Sequence, residues 1–217
     1  MLTYERIKND PNIKAYISAA DASLSALGYT EHSVAHVAKV AETAAMILEA
    51  AGADAHTVEL AKIAAHMHDI GNLVNRVDHS QSGAIMAFRI LDKLGMPAED
   101  IAAVVTAIGN HDEGTGVPVN AISAALILAD KSDVRRSRVR NADLSTFDIH
   151  DRVNYSVEES SLKIEGKTAR LTLKIDTSIG SLMDYFEIFL ERMTLCRRAA
   201  DKLGFTFKLT INEQNFI

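Results

Sequence analysis

Cysteine is nearly absent: Cys196 is the one thiol in 217 residues. No disulfide can form within the chain, and any metal site must be built from histidines and carboxylates. Long apolar runs are absent too. No stretch approaches the roughly 18 residues a membrane helix needs, and the opening MLTYERIKND lacks the plan of a secretory leader. The expectation is a soluble, cytoplasmic protein with no membrane association. Positive charge is in deficit, with 23 Lys and Arg against 29 Asp and Glu. A binder of nucleic-acid polymers is usually basic, so none is expected as a partner. There is no glycine-rich P-loop or dinucleotide fingerprint, no internal repeat and no low-complexity segment. What is present is ordinary globular composition, 47% hydrophobic and 24% charged. A chain of this length buries roughly 70% of its unfolded surface and needs no staple to fold.

The first two thirds have helical periodicity. Ile13, Tyr16, Ile17, Leu24 and Leu27 place a helix over residues 12–27, stopped by Gly28. A second is expected over 30–51, with Val34, Val37, Val40, Ala41, Ala44 and Leu48 on one face. A third opens at Asp54 as N-cap and ends near Gly71. Further helices are expected over 82–94, from Pro97 to about Asn110, and from Asn120 into the 130s, with Glu113–Pro118 a loop. The last third changes period. Val153, Tyr155 and Val157 alternate with polar residues, as do Leu171, Leu173 and Ile175, and then Phe205, Phe207, Leu209 and Ile211. Glu165-Gly166-Lys167 reads as a turn, and residues 181–203 as an amphipathic helix closed by Gly204. The expected fold is mainly α, a helical domain over 1–145 with a small α+β (β-β-α-β) extension over 146–217.

Among eight histidines, position decides which matter. His68-Asp69 closes an apolar helix in AAHMHDIGN. Neighbouring helical residues point about 100° apart, yet both can reach one ion just off the helix end. A buried Asp without a partner is costly. Taken alone, the doublet fits a metal site and a structural or surface pair equally. His36 lies on the preceding helix with Val40 and Ala44 on its core side, and Asp130 sits inside the apolar run SAALILADKSD, where a solvated carboxylate is not expected.

With these residues in this order, the chain resembles the HD-domain superfamily of metal-dependent phosphohydrolases. That signature is a His on one helix, a His-Asp doublet on the next and an Asp on a later helix. His36, His68-Asp69 and Asp130 match it over roughly residues 32–140. The resemblance implies an HD-type helical fold with these four residues as metal ligands. In relatives with two ions, histidines at the places of His79 (in DHSQSGAIMAF) and His111 (in AIGNHDEGTG) hold the second. The set is then His36, His68, Asp69, His79, His111 and Asp130, with Asp69 as the bridge. The alternative makes His79 and His111 helix-terminal residues or substrate contacts. Nitrogen and oxygen donors suit one or two divalent transition ions, Mn, Fe, Co, Ni or Zn, without choosing among them.

The remaining polar residues are read around that centre. His32, four residues before His36 and on the same helix face, is an alternative ligand or a substrate contact. His66 faces away from His68 as a core histidine, and His56 and His150 are surface residues. Lys131, Arg135 and Arg138 recur at i, i+4 and i+7 in ADKSDVRRSRVR. That makes one stripe on the helix of Asp130, placed to clamp a phosphate or to face solvent. Arg76 is a further phosphate candidate. Glu113 is placed to bond a ligand or move a proton, and Cys196 is structural.

The implied reaction is hydrolysis of a small phosphorylated substrate, a nucleotide or related phosphomonoester or diester, by a metal-activated water. Asp69 would orient the nucleophile while Lys131 and nearby arginines stabilise the developing charge. The stretch HDEGTGVP is shorter than the His-His-Glu-x-x-Asp-Gly-x-Gly-Tyr-Pro element of the superfamily's cyclic-dinucleotide phosphodiesterases and lacks its tyrosine, which argues against that activity. Two other classes use the same frame. One is a di-iron oxygenase resembling myo-inositol oxygenase; the other is a non-catalytic nucleotide-sensing module, against which the complete ligand set argues. The strand around Phe205–Ile211 offers an edge for pairing in a homodimer.

Overall fold

A computed structural model describes residues 2–217. Most of its helices begin where a side chain can satisfy an orphan backbone N–H. Thr3 caps α1 (Tyr4–Asn9), Asp10 caps α2 (Pro11–Ala26), Ser33 caps α3 (Val34–Ala50) and Asp54 caps α4 (Ala55–Met67). After α4 come a short 3-10 turn, Ile70–Leu73, then α5 (His79–Lys93) and α6 (Ala98–Gly109). Pro97 takes the position just before α6 rather than its first turn. Asn120 and Ser123 form a reciprocal capping box on α7 (Ala121–Lys131). Every residue of α7 from Ile122 to Lys131 is buried, as expected of a helix that is apolar all round. It packs against α3, α4 and α6, so anything polar on it faces the interior.

Two expectations are corrected here. Val153 and Tyr155 are not in a strand: they belong to α8 (Ile149–Ser156), capped by Asp148. Val153 and Val157 are both fully buried and stand four apart, which suits a helix face as well as a two-residue alternation. Nor do Lys131, Arg135 and Arg138 form one helical stripe. α7 ends at Lys131, Arg135 is extended, and Arg138 closes a separate 3-10 turn, Arg136–Arg138. The Ser132 hydroxyl bonds back to the Ala129 carbonyl, and Asp133 turns inward to His36 and Lys39, which stops the helix.

The C-terminal segment forms a sheet in the order β1 (Val157–Glu165), β2 (Thr168–Ile175), β3 (Thr206–Ile211), β4 (Gln214–Asn215). β1 and β2 are an antiparallel hairpin turning at Gly166-Lys167. β2 and β3 run parallel, joined through α9 (Leu182–Lys202). This matches the expected β-β-α-β order, with β4 added. β4 pairs with Thr210 and Ile211, and the Phe216 N–H bonds Leu209, so the outer side of β3 is partly covered by its own chain. Leu171, Leu173, Leu209 and Ile211 share one continuous core with Tyr185, Phe189, Met193 and Cys196 of α9 and with the helices. α9 also packs on α7, which brings C-terminal residues to the helical domain. No helix among the described residues is long and apolar enough to cross a membrane.

Candidate metal centre

The ends of α3, α4, α5, α6 and α7 converge on one buried group of side chains. His36, His68, Asp69, His79, His111 and Asp130 are all brought together, and each is at most 8% exposed. His68 and Asp69 follow directly on α4, where the helix gives way to the 3-10 turn and the two side chains turn toward one another. His79 is the first residue of α5, reached through a left-handed Asp78 (φ 56°).

Each imidazole is held by its Nδ1. The Nδ1 of His36 faces Asp133 Oδ2 at 2.8 Å, that of His68 the Ala65 carbonyl at 2.7 Å. Those of His79 and His111 face the carbonyls of Arg76 and Ile108, at 3.1 and 2.6 Å. Carbonyl and carboxylate oxygens only accept, so each Nδ1–H donates and each Nε2 is left as the electron-pair end. The four Nε2 atoms point at the Asp69 and Asp130 carboxylates. Asp69 Oδ2 is 3.1 Å from His68 Nε2 and 3.8 Å from His36 Nε2. Its Oδ1 is 3.5 Å from His79 Nε2 and 4.0 Å from His111 Nε2. Asp130 Oδ1 lies 3.3 Å from His36 Nε2 and 3.6 Å from His68 Nε2. Thus one oxygen of Asp69 addresses each half of the cluster.

The donor set fits a divalent ion. The Nε2 atoms of His36 and His68 are buried without a hydrogen-bond partner, which is costly unless something else takes the lone pair. The Nε2 atoms of His79 and His111 face each other at 3.2 Å. Two lone pairs repel at that distance, whereas two nitrogens bound to one ion at about 2.1 Å stand about 3.0–3.4 Å apart. His36, His68 and Asp130 make one group able to hold an ion, and His68, Asp69 and His111 another.

Electrostatics follow the same layout. Burial pulls His68 down, but Asp69 and Asp130 outweigh it and lift its pKa to about 10, so a proton and a metal ion compete for that nitrogen. Burial, helped by His68 and Lys131, holds His111 well below its usual value. Burial would raise Asp130, yet Lys131, His36 and His68 keep it well below the carboxylate range.

Around this centre the other candidates divide. Lys131 is buried, its ammonium 2.7 Å from Asp130 Oδ2 and 3.1 Å from Glu113 Oε2, and it does not line the neighbouring cleft. That cleft, of about 510 Å³, is lined by His32, Arg76, Glu113, Arg138 and Arg192 among others. Arg76 Nη1 stands 3.3 Å from His79 Nε2 and 3.4 Å from Asn72 Oδ1. His32 is not on the α3 face expected of it, because Ser33 caps the helix after it. Its ring nonetheless packs edge-on against His36, 5.8 Å between centroids, and burial lowers its pKa to about 3. Arg138 bonds two backbone carbonyls, Glu31 and Asp133, and is chiefly a tie between segments. Arg135 is not brought to the cleft: it pairs with Asp133 and lines a separate open groove. His66 is a fully buried core residue, and His56 is half-buried, bonded to Asp100.

Three residues were missed. Asp133 is 2% exposed and fixes the His36 tautomer. Its place three residues after Asp130 was a usable signal, since one turn of backbone separates them. Asn72 Nδ2 bonds Asp69 Oδ1 at 3.0 Å from within the following 3-10 turn. Arg192 bonds Glu113 at 2.7 Å from α9, and no local pattern announces it.

Buried histidines whose Nε2 atoms converge on carboxylates, ordered as a His on one helix, a His-Asp at the end of the next and an Asp on a later one, have the layout of an HD-type metal centre. The HD domain family matches residues 33–165, more than half of the chain, and this protein belongs to that family. Among solved structures, a crystal structure described as a predicted HD superfamily hydrolase from an uncultured Thermotogales bacterium is 26% identical. The match covers 57% of this chain and 67% of that one, with a TM-score of 0.46. No curated protein matches the chain.

Proposed function

We propose that this protein is a metal-dependent phosphohydrolase with a two-ion centre, acting on a small phosphorylated substrate such as a nucleotide. The observation that carries the reading is the placement of four imidazole Nε2 atoms around the two oxygens of Asp69, beside a cleft whose lining includes Arg76, Arg138 and Arg192 along with four carboxylates. His36, His68 and Asp130 would hold one ion, His79 and His111 the other, with Asp69 between them. Mn, Fe, Co, Ni and Zn all suit these donors.

Charge favours phosphate. Asp130 and Glu113 are paired with Lys131 and Arg192, and the rest of the site sets Arg76 and Arg138 against Asp69, Asp148, Asp151 and Glu191, so the protein's own groups carry no positive surplus. Each divalent ion adds two positive charges, a surplus that an anionic substrate answers. A bound divalent ion supplies Lewis acidity toward phosphoryl oxygens and lowers the pKa of a water. The chain's residues do the rest. Asp69 accepts a hydrogen bond from the attacking water and sets its direction. Arg76, at the cleft and beside His79, binds a phosphate oxygen. Lys131 does not touch substrate; it holds Asp130 and Glu113 in place from behind.

The test is phosphate release from a panel of nucleoside monophosphates and other phosphoesters by protein loaded with Mn, Co or Ni. Activity lost on chelation and in Asp69→Ala supports the reading. Activity that survives complete removal of metal contradicts it, and oxygen uptake by the iron form without phosphate release would favour the oxygenase.

A further inference from the structure

α9 lies beyond residues 33–165, where the family match ends. A reciprocal capping box between Ser181 and Asp184 starts it, and Tyr185, Phe189, Met193 and Cys196 bury one face against the core. Arg192 sits at the border of that face, three residues after Phe189. Its guanidinium lies over the Phe189 ring, 4.1 Å from the centroid. Its Nε donates to Glu113 Oε1 at 2.7 Å. The other oxygen of Glu113 accepts from Lys131, which in turn bonds Asp130. One carboxylate and one ammonium therefore separate Arg192 from a candidate metal ligand.

One of the five guanidinium N–H donors is used. Nη1 and Nη2 make no hydrogen bond with any described residue, and Arg192 lines the cleft beside the metal centre. Stacking and the Nε bond fix the plane of the fork, which removes most of its rotamer freedom before any ligand arrives. The loop carrying Glu113 is itself braced on α9: a Cβ on Gly116 would lie 3.1 Å from Leu195 Cδ2.

We propose that Arg192, supplied by the C-terminal helix, is a substrate-binding residue whose two terminal NH2 groups take non-bridging oxygens of the substrate's phosphate, with Glu113 and Phe189 as the residues that position it. The helix outside the family match thereby completes the site. This rests on the phosphohydrolase reading above, and it moves Glu113 from substrate contact to positioning residue.

The test is calorimetric titration of inorganic phosphate into the full-length, Mn-loaded protein, with metal content measured on each sample. Arg192→Ala is expected to weaken phosphate by about 10- to 100-fold, the range of a charge-assisted pair, with metal content unchanged and partial rescue by added guanidinium ion. Arg192→Lys keeps the charge beside Glu113 but not the fork, and is expected to weaken it several-fold. Wild-type phosphate affinity in both variants overturns the proposal and leaves the phosphohydrolase reading intact. If Arg192→Ala fails to hold metal, the lysine variant decides, and wild-type affinity there overturns the proposal. Absence of phosphate binding by the loaded wild type overturns both.

Discussion

Gly71, two residues after Asp69, is where the backbone of the 3-10 turn meets the start of α5. A Cβ added there would lie 2.0 Å from the His79 carbonyl oxygen, 2.4 Å from the Gly83 nitrogen and 2.7 Å from Ser82 Oγ. Such contacts are not seen below 3.0 Å, so the nearest gap must open by about 1 Å or more. The two nearest obstacles are backbone, and no side-chain rotation relieves them. α5 must move away from the turn, and it carries His79 as its first residue. Metal ligands tolerate displacements of about 0.2 Å, so His79 would leave the cluster. Overpacking of this kind costs about 3 kcal/mol, the upper part of the usual range, which for a chain of this size lowers Tm by about 6–12 °C. Gly71→Ala is therefore expected to show both losses, read by thermal unfolding and by metal content: reduced stability, and the ion near His79 lost. An alanine variant with wild-type Tm and metal content would refute this account of why glycine stands there.

The remaining predictions concern the ligands' support and the core. Asp133→Asn should weaken metal binding by about 10- to 100-fold, because the acceptor that holds His36 Nδ1 loses its charge; competition with a chelator measures it, and an unchanged affinity contradicts the role. Lys131→Met should lower phosphate release by about 100-fold or more with the metal retained, since Asp130 and Glu113 lose their shared cation; steady-state rates with metal analysis check it. His66 is fully buried with neither ring nitrogen bonded, and burial lowers its pKa from 6.5 to about 4. Between these values the unfolded chain takes up a proton that the fold excludes. The contribution is whole above pH 6.5 and is lost toward pH 4, by about 3 kcal/mol in all. The stability gap between His66→Phe and wild type should shift by that amount in favour of the variant across this window in urea unfolding, and a pH-independent gap would contradict it.

How much was legible in the sequence follows from how local each signal is. His36 and Asp130 sit on strongly apolar helices, and His68 and Asp69 directly at the end of one, where core faces can be counted off in 3.6-residue steps, so polar residues there stand out. His79 and His111 needed the family resemblance, because each lies at a helix end where periodicity says nothing about direction. α8 was misread since Val153 and Val157 satisfy two periods at once, and only the Asp148 cap decides for a helix. α1 went unread because six residues are too few to show a period. The Lys131–Arg138 stripe failed because α7 stops at Lys131 when Asp133 turns inward to His36, a contact 97 positions apart in the chain. Arg192 reaches the site only because α9 docks on α7, a tertiary fact that no window around residue 192 contains.

The central claim is that these six side chains bind divalent metal, and elemental analysis of the purified chain tests it most directly, beside Asp69→Ala. Near two equivalents of a transition metal in the wild type, lost in the variant, is the predicted result. No metal after growth with ample supply, and none taken up on titration with Mn, Fe, Co, Ni or Zn, would contradict it.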